Sequence, residues 1–322
     1  MSSTFMKGIT FNVRQFSKEK EYWLNTLSGE PEKSFFPYDF SKVQKDDPGE
    51  RSTRGGRIEF TIEGELFERL IWISNKSDLR LFIIIVTVLQ VLLSRYTGNE
   101  DIIVGSPIEK QDVDGDFLNT VLALRTQLRQ NITFKELLMQ VRETVAEAGT
   151  HQNYPLETIP LELGMENRKS GDFPLFDIAV LLENIHDKRY IDHLHINMML
   201  SFLRTGDFIK GELEYNRSLY EEETVRRITD HFTHLIKEVF KNPEIPIGDI
   251  EFLPVEERRR LLVELNDTGA EYPQDTTVLR MFEIQAEKTP ANTAVEEADT
   301  GRCMSYREVN EKAARLANLL IE

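Results

Sequence analysis

Two periods of hydrophobic and polar positions run along this chain, and the points where one gives way to the other mark its elements. From Ser17 through Tyr22-Trp23-Leu24 to Gly29 the spacing is helical. Ser17 is placed to cap the amides of the first turn, acidic residues follow where the helix dipole favours them, and Gly29 can take the left-handed conformation that ends a helix. Residues 30–56 are polar and rich in Pro, Asp and Gly, which predicts a long connector. Arg57–Ile62 then alternates with period two, the mark of a half-buried strand. Glu65–Asn75 returns to helical spacing, with Leu66, Leu70 and Ile73 on one stripe. Asp78–Tyr96 is apolar almost all round, so it predicts a helix buried on most faces. Thr97-Gly98-Asn99-Glu100 is turn chemistry, and Asp101–Gly105 reads as an inner strand.

Further along, Phe117–Leu128 predicts a strand. Thr133–Glu147 predicts an amphipathic helix in which Thr133 and Glu136 can form a capping box. Phe173–Asn184 is strand-like, and Ile196–Leu203 with Phe208–Tyr215 flank Arg204-Thr205-Gly206-Asp207 as a hairpin. Glu221–Phe240 is a long helix with glutamates in its first turn. Strands alternating with helices between 57 and 240 predict an α/β layer fold, an α+β two-layer arrangement of a mixed sheet packed by helices. After 240 the texture changes. A Pro-rich linker leads to a short charged helix at Val255–Leu265, and Asn266–Thr277 has no periodicity. Leu279–Glu287 is helical, Pro290 breaks it, and Thr293–Glu296 reads as a short strand. Ser305 and Glu308 fit a second capping box, opening a helix that reaches Glu322 with no stop signal, as expected of a truncated piece of a second domain. No internal repeat is present.

Composition narrows the class. At roughly 100–200 residues per domain, 322 residues imply about two domains. Lys and Arg number 39 against 55 Asp and Glu, a net charge of −16 that leaves no cationic surplus for nucleic acid. The segment MSSTFMKGIT has no apolar signal core, and the greasiest run, Leu81–Leu93, falls short of the roughly 20 residues a bilayer span needs. The chain is therefore expected to be cytoplasmic, with neither nucleic acid nor membrane as a partner. A single cysteine, Cys303, rules out a disulfide scaffold and any multi-cysteine zinc site.

Six histidines invite a search for a general base. His193 and His195 would share one face of a strand and offer two legs of a metal site, but no third ligand stands at a useful spacing; surface histidines are the alternative. His231 and His234, three apart on the 221–240 helix, read as a solvated face. His151 follows a helix end, where it can either donate to terminal carbonyls or serve catalysis. No G-x-x-x-x-G-K, G-x-G-x-x-G or G-x-S-x-G pattern occurs, and Cys303 has no assigned base. The residues alone assemble no catalytic constellation.

Several motifs nonetheless carry a family resemblance. Tyr96-Thr-Gly-Asn-Glu-Asp-Ile-Ile-Val-Gly-Ser-Pro107 resembles Y-x-G-x-x-D-x-x-x-G-x-P of nonribosomal peptide synthetase condensation domains. Phe117-Leu-Asn-Thr-Val-Leu-Ala-Leu-Arg125 resembles F-V-N-T-L-x-L-R, and His151-Gln-Asn-Tyr-Pro-Leu-Glu157 resembles H-Q-x-x-P-F-E. Phe173-Pro-Leu-Phe-Asp177 is similar to the P-L-F motif, and Glu212-Leu-Glu-Tyr-Asn216 to the L-E-Y-N strand. All five stand in family order. Leu261–Pro273 is similar to the junction before an adenylation (AMP-binding) domain, and Met304-Ser-Tyr-Arg-Glu-Val-Asn310 to the first adenylation motif.

The resemblance implies the C-terminal half of a condensation domain, one of two chloramphenicol-acetyltransferase-like halves that meet at a tunnel. Phosphopantetheine arms of peptidyl and aminoacyl carrier proteins enter that tunnel, and an acceptor amine attacks a donor thioester there. It implies partition into a partial condensation domain (1–252), a linker (253–277) and the start of an adenylation domain (278–322), which stops before the phosphate-gripping loop, so no ATP site is expected. It places Asn119, Asp101, Arg125 and His151 along the substrate tunnel; each also has a structural role open to it, in a turn, a backbone cap or an ion pair. The family's catalytic H-H-x-x-x-D-G belongs to the other half. This chain has no His-His pair, and Asp114-Gly115 has no histidine four residues before Asp114. No catalytic residue is assigned, and the expected partners are carrier proteins, the adjoining adenylation domain and a missing N-terminal half. Glu109-Lys110-Gln111 stands where the family has small residues and an arginine, and Ser170-Gly171-Asp172 where it has S-R.

Overall fold

A computed structural model describes residues 16–29, 31–40, 55–111, 118–165, 173–269 and 276–321. Residues 41–54 of the connector, Asp114, Gly115, Phe117, residues 170–172 and residues 270–273 of the junction lie outside the described residues. Contacts divide the chain into two units, Met1–Arg259 and Arg260–Glu322.

The first unit is a mixed α/β fold with helices packed on a sheet. Helix α1 (16–27) is followed by strand β1 (Gly55–Glu63), helices α2 (Gly64–Ile73) and α3 (Asp78–Thr97), and strands β2 (Asp101–Pro107) and β3 (Val121–Gln127). Then come α4 (Phe134–Thr150), a single-turn α5 (Ile159–Glu162), strands β4 (Ile178–Leu182), β5 (Met198–Arg204) and β6 (Phe208–Asn216), and helices α6 (Glu222–Lys241) and α7 (Val255–Arg259). The strands lie in the order β1-β6-β5-β4-β2-β3. β1, β6 and β5 pair antiparallel, as do β2 and β3, whereas β5, β4 and β2 are parallel. Pro107, Leu182 and Arg204, the carboxyl ends of the parallel trio, therefore lie at one end of the sheet.

Helix α3 is the spine. Ser77 accepts from the Arg80 amide at its start, and Gly98 closes it at φ 75°. Every residue from Leu81 to Ser94 is buried. By length and composition this helix is apolar enough to cross a membrane, yet 78% of its apolar window is buried inside the protein. Two of its polar side chains reach carbonyls: Thr87 donates to Ile83 at 2.7 Å, and Gln90 Nε2 donates to Leu124 of β3 at 3.1 Å, whereas Gln90 Oε1 and Ser94 Oγ are buried with no partner among the described residues. The capping box at Thr133 and Glu136 starts α4, with both reciprocal bonds made.

The N-terminal segment is stitched to the sheet by polar contacts far apart in sequence. Trp23 Nε1 donates to the His151 carbonyl at 2.8 Å, and the Ile103 amide donates to Ser34 Oγ at 2.9 Å. Fully buried Asp177 pairs with Lys33 Nζ at 2.8 Å and accepts from Tyr38 and from Asn197.

Several expectations are corrected. Phe16 is already helical, so Ser17 lies inside α1 and does not cap it. The strand expected over 117–128 is Val121–Gln127, because the Asn119 side chain bonds both the amide and the carbonyl of Val121 and holds the chain off the ladder. The strand expected over 173–184 is only Ile178–Leu182, and at its carboxyl end the Leu182 amide donates to the imidazole of His186. His193 sits in a turn and His195 in the irregular stretch after it, not on one strand face; His193 bonds Glu157 at 2.8 Å. His231 is 3% exposed rather than solvated. Its Nδ1 meets the Tyr96 hydroxyl and its Nε2 meets Glu257 of α7, each at 2.6 Å.

The second unit contains α8 (Val278–Lys288), a two-stranded sheet of β7 (Thr293–Glu296) and β8 (Cys303–Ser305), and α9 (Tyr306–Ile321). Ser305 and Glu308 make both bonds of the capping box at the start of α9. Cys303 is exposed.

Candidate functional site

A cleft of about 760 Å³ opens beside the carboxyl ends of the parallel strands, on the face of the sheet that carries α3 and α4. That volume lies within the range of small-molecule sites. Ile83 and Phe82 of α3, Leu122 and Leu124 of β3, and Leu138 and Val145 of α4 give it apolar walls. Alternation along β3 places Leu122 and Leu124 on this face while Ala123 and Arg125 point to the other. Gly149, near the end of α4, borders the cleft, and no atom lies within 4 Å of where its Cβ would stand.

Polar groups gather at one end. Ser106 and Pro107 at the end of β2, Glu109, Gln111, Gln152 and His186 border the cleft there. The Glu109-Lys110-Gln111 segment pairs with the turn after β4. Glu109 bridges to His186, and the Lys110 amide donates to the Ile185 carbonyl at 2.8 Å. On the hairpin side, Arg204 makes a bidentate pair with Asp78 at the start of α3, at 2.6 and 3.0 Å.

His186 escaped the sequence reading. It follows the turn after β4, is 3% exposed, and meets the Phe82 ring edge-on at 4.5 Å. Burial, with the Lys110 charge adding to it, lowers its pKa to about 3. The available signal was a polar residue just beyond an uninterrupted apolar strand, which is where open α/β sheets place ligand groups.

The four residues assigned to a tunnel do not border this cleft and fall into two groups. Asn119 and His151 flank its α4 end. Asn119 Nδ2 donates to the Gln152 carbonyl at 2.9 Å, and its Oδ1 accepts from the Leu156 amide at 3.3 Å, so it fixes the backbone beside Gln152. His151 stacks on Tyr22 at 4.0 Å, and its Nδ1 lies 2.9 Å from the Glu147 carbonyl. Asp101 and Arg125 are six residues along the strands from there, about 20 Å at ~3.3 Å per residue. They form a bidentate pair at 2.6 and 2.9 Å, and Arg125 also donates to the Thr26 and Ser28 carbonyls at the end of α1. His195 borders a different cleft of about 600 Å³ near β1 and β6. Among the described residues no three His, Cys, Asp or Glu side chains group as metal ligands.

Comparison with known proteins agrees with this architecture. The Condensation domain family model matches residues 11–262. Gramicidin S synthase 2 of Brevibacillus brevis is 30% identical over 97% of this chain, tyrocidine synthase 2 of Brevibacillus parabrevis 34% over 95%, and bacitracin synthase 2 of Bacillus licheniformis 33% over 96%. The chain spans only 7%, 9% and 12% of the length of these relatives. Among solved structures, a four-domain nonribosomal peptide synthetase bound to AMP and glycine superposes with a TM-score of 0.70 at 17% identity, covering 94% of this chain and 25% of that one. The X-domain from teicoplanin biosynthesis gives 0.61 at 20%, covering 74% and 57%, and the starter condensation domain of rhizomide synthetase in complex with C8-CoA and Leu-SNAC gives 0.60 at 19%, covering 75% and 56%. The family match takes in all six strands of the main sheet, and this chain belongs to the condensation-domain family of nonribosomal peptide synthetases.

Proposed function

We propose that this chain forms one wall of the chamber in which carrier-bound aminoacyl or peptidyl thioesters condense to an amide, and that it makes no amide by itself. One observation carries the reading. The chain matches the family over residues 11–262, with its C-terminal motifs in order, yet its 322 residues contain no H-H-x-x-x-D-G. Two of the histidines on the page are held in other work, with His231 engaged at both nitrogens and His151 stacked on Tyr22. The proton-handling histidine therefore comes from an N-terminal half outside these residues. In this reading residues 278–322 are the beginning of an adenylation domain, joined by a linker over 253–277, and Met304–Asn310 with its capped helix supports it.

Chemically, such a wall contributes proximity. A thioester and an amine held at reacting distance in a site that excludes water gain much of their rate from orientation alone. The phosphopantetheine arm arrives on its carrier protein as part of the substrate. The cleft's apolar walls and polar rim suit an acyl thioester, and Asn119 fixes the backbone of the rim.

An amide-formation assay with loaded donor and acceptor carriers tests this. The chain alone should give no product, and adding a separately expressed N-terminal half bearing H-H-x-x-x-D-G should restore turnover. Turnover by the chain alone would overturn the reading and favour a stand-alone acyltransferase, for which the engaged nitrogens of His231 leave no obvious base.

A further inference from the structure

The six histidines all lie within the described residues, and His186 differs from the other five. It combines burial, a fixed proton position and a place on the border of the 760 Å³ cleft. The chain turns back on itself after β4: the His186 amide donates to the Leu182 carbonyl at 2.9 Å, and the Leu182 amide donates to His186 Nδ1 at 3.0 Å. A ring nitrogen that accepts an N–H has its lone pair occupied, so the proton of the neutral imidazole sits on Nε2. Among the described residues the ring's hydrogen bond is the one at Nδ1, and Nε2 makes none. With its pKa lowered to about 3, the ring stays neutral through the working range.

These facts restrict what the group can do. With hydrogen on Nε2 it is not a base there, and without charge it is not an anchor for an anion. It is a donor whose ring is held by the Leu182 amide, on a residue that borders the polar end of an apolar cleft. The complement of such a donor is an uncharged carbonyl oxygen on a molecule whose remainder is apolar. Arg80 and Arg142 also border the cleft, but both are exposed, so charge is available only at the rim.

We propose that His186 holds the acyl carbonyl of a thioester substrate through Nε2–H, with the acyl chain lying along Phe82, Ile83, Leu122, Leu138 and Val145. The identity of the ligand rests on the condensation reading above; the site itself needs no partner half. No bond is made or broken at His186, which is a positioning residue that sets which end of the substrate enters.

The test uses the full chain and a decanoyl N-acetylcysteamine thioester as probe, with decanoate and N-acetylcysteamine as controls, in calorimetric titration. The thioester should bind with decanoate at least tenfold weaker. His186→Phe should weaken thioester binding about fivefold, the worth of one neutral hydrogen bond. Gly149→Leu, whose new side chain enters open space in the cleft, should abolish binding while leaving the unfolding midpoint unchanged or raised. Because His186→Phe strands the Leu182 amide and can fail to fold, the wild type supplies a second reading. In a nitrogen-15 spectrum the His186 Nε2–H signal should be visible without ligand and move on adding thioester. Tighter binding of decanoate, its loss in Arg142→Ala, an immobile Nε2–H signal at saturation, or a proton found on Nδ1 would each overturn the proposal. The two readings fail separately. Thioester binding through His186 without amide formation in the reconstituted domain leaves the site standing. Amide formation with kinetics untouched by a folded His186→Phe leaves only the condensation reading.

Discussion

A single proton position governs the most unusual side chain of this fold. Folded His186 titrates near 3, against 6.5 for an ordinary histidine. Between those values the unfolded chain binds the extra proton, so the ring's contribution to stability is complete above pH 6.5 and is lost as pH falls toward 3. His186→Gln does not titrate in that window. The stability gap between wild type and His186→Gln, measured by urea unfolding, should therefore shrink by about 1.4 kcal/mol per pH unit between pH 6 and 4. A constant gap would mean the ring is solvated. Gly105 poses a second residue-level question with a geometric answer. A Cβ there would stand 2.2 Å from the ring of Phe176, which is itself fully buried. Gly105→Ala should cost about 1–3 kcal/mol through overpacking, and adding Phe176→Leu should recover part of it. The glycine of the G-S-P motif in β2 is thus accounted for by the close approach of the Phe176 ring, as Gly98 is by its φ of 75°.

Elements whose pattern is local were legible in the sequence, and those shaped by distant partners were not. The α3 spine and the capping box of α4 follow from spacing and from Thr133 with Glu136, residues that act within one turn. The end of β4 did not follow; there the Leu182 amide donates to the imidazole of His186 beyond the turn. The burial of His231 did not follow either: its partners Tyr96 and Glu257 are 135 and 26 residues away, so no window along α6 contains them. The cleft was invisible for the same reason, being assembled from α3, β3, α4 and the turn after β4. That three-membered contact makes α7 a latched element. Phe252 packs edge-on to His231 at 5.5 Å, and Glu257 binds it at 2.6 Å. Removing the carboxylate in Glu257→Ala should speed amide exchange across residues 250–259 and leave the central strands protected. Unchanged exchange in that segment would show that Phe252 alone holds it.

At the scale of the whole molecule, the sheet is held to the chain's beginning by a buried ion pair. Lys33, with its side chain 9% exposed, reaches a carboxylate on the fully buried Asp177. Lys33→Met leaves that charge without its cation and should destabilise the first unit by about 3–5 kcal/mol, whereas Lys33→Met with Asp177→Leu should recover much of the loss. Equal losses in the single and double variants would assign the effect to packing. The parallel arrangement of β2, β4 and β5 has a different kind of consequence. Their three carboxyl ends share one rim, and the described segments that leave β2 and β4 there, 108–111 and 183–197, lie outside the named strands. Sequence change can accumulate in those segments while the scaffold beneath persists, so selection is free to retailor what the rim accepts one loop at a time. Descendants of this architecture should diverge first there, trading one guest for another on an unaltered frame.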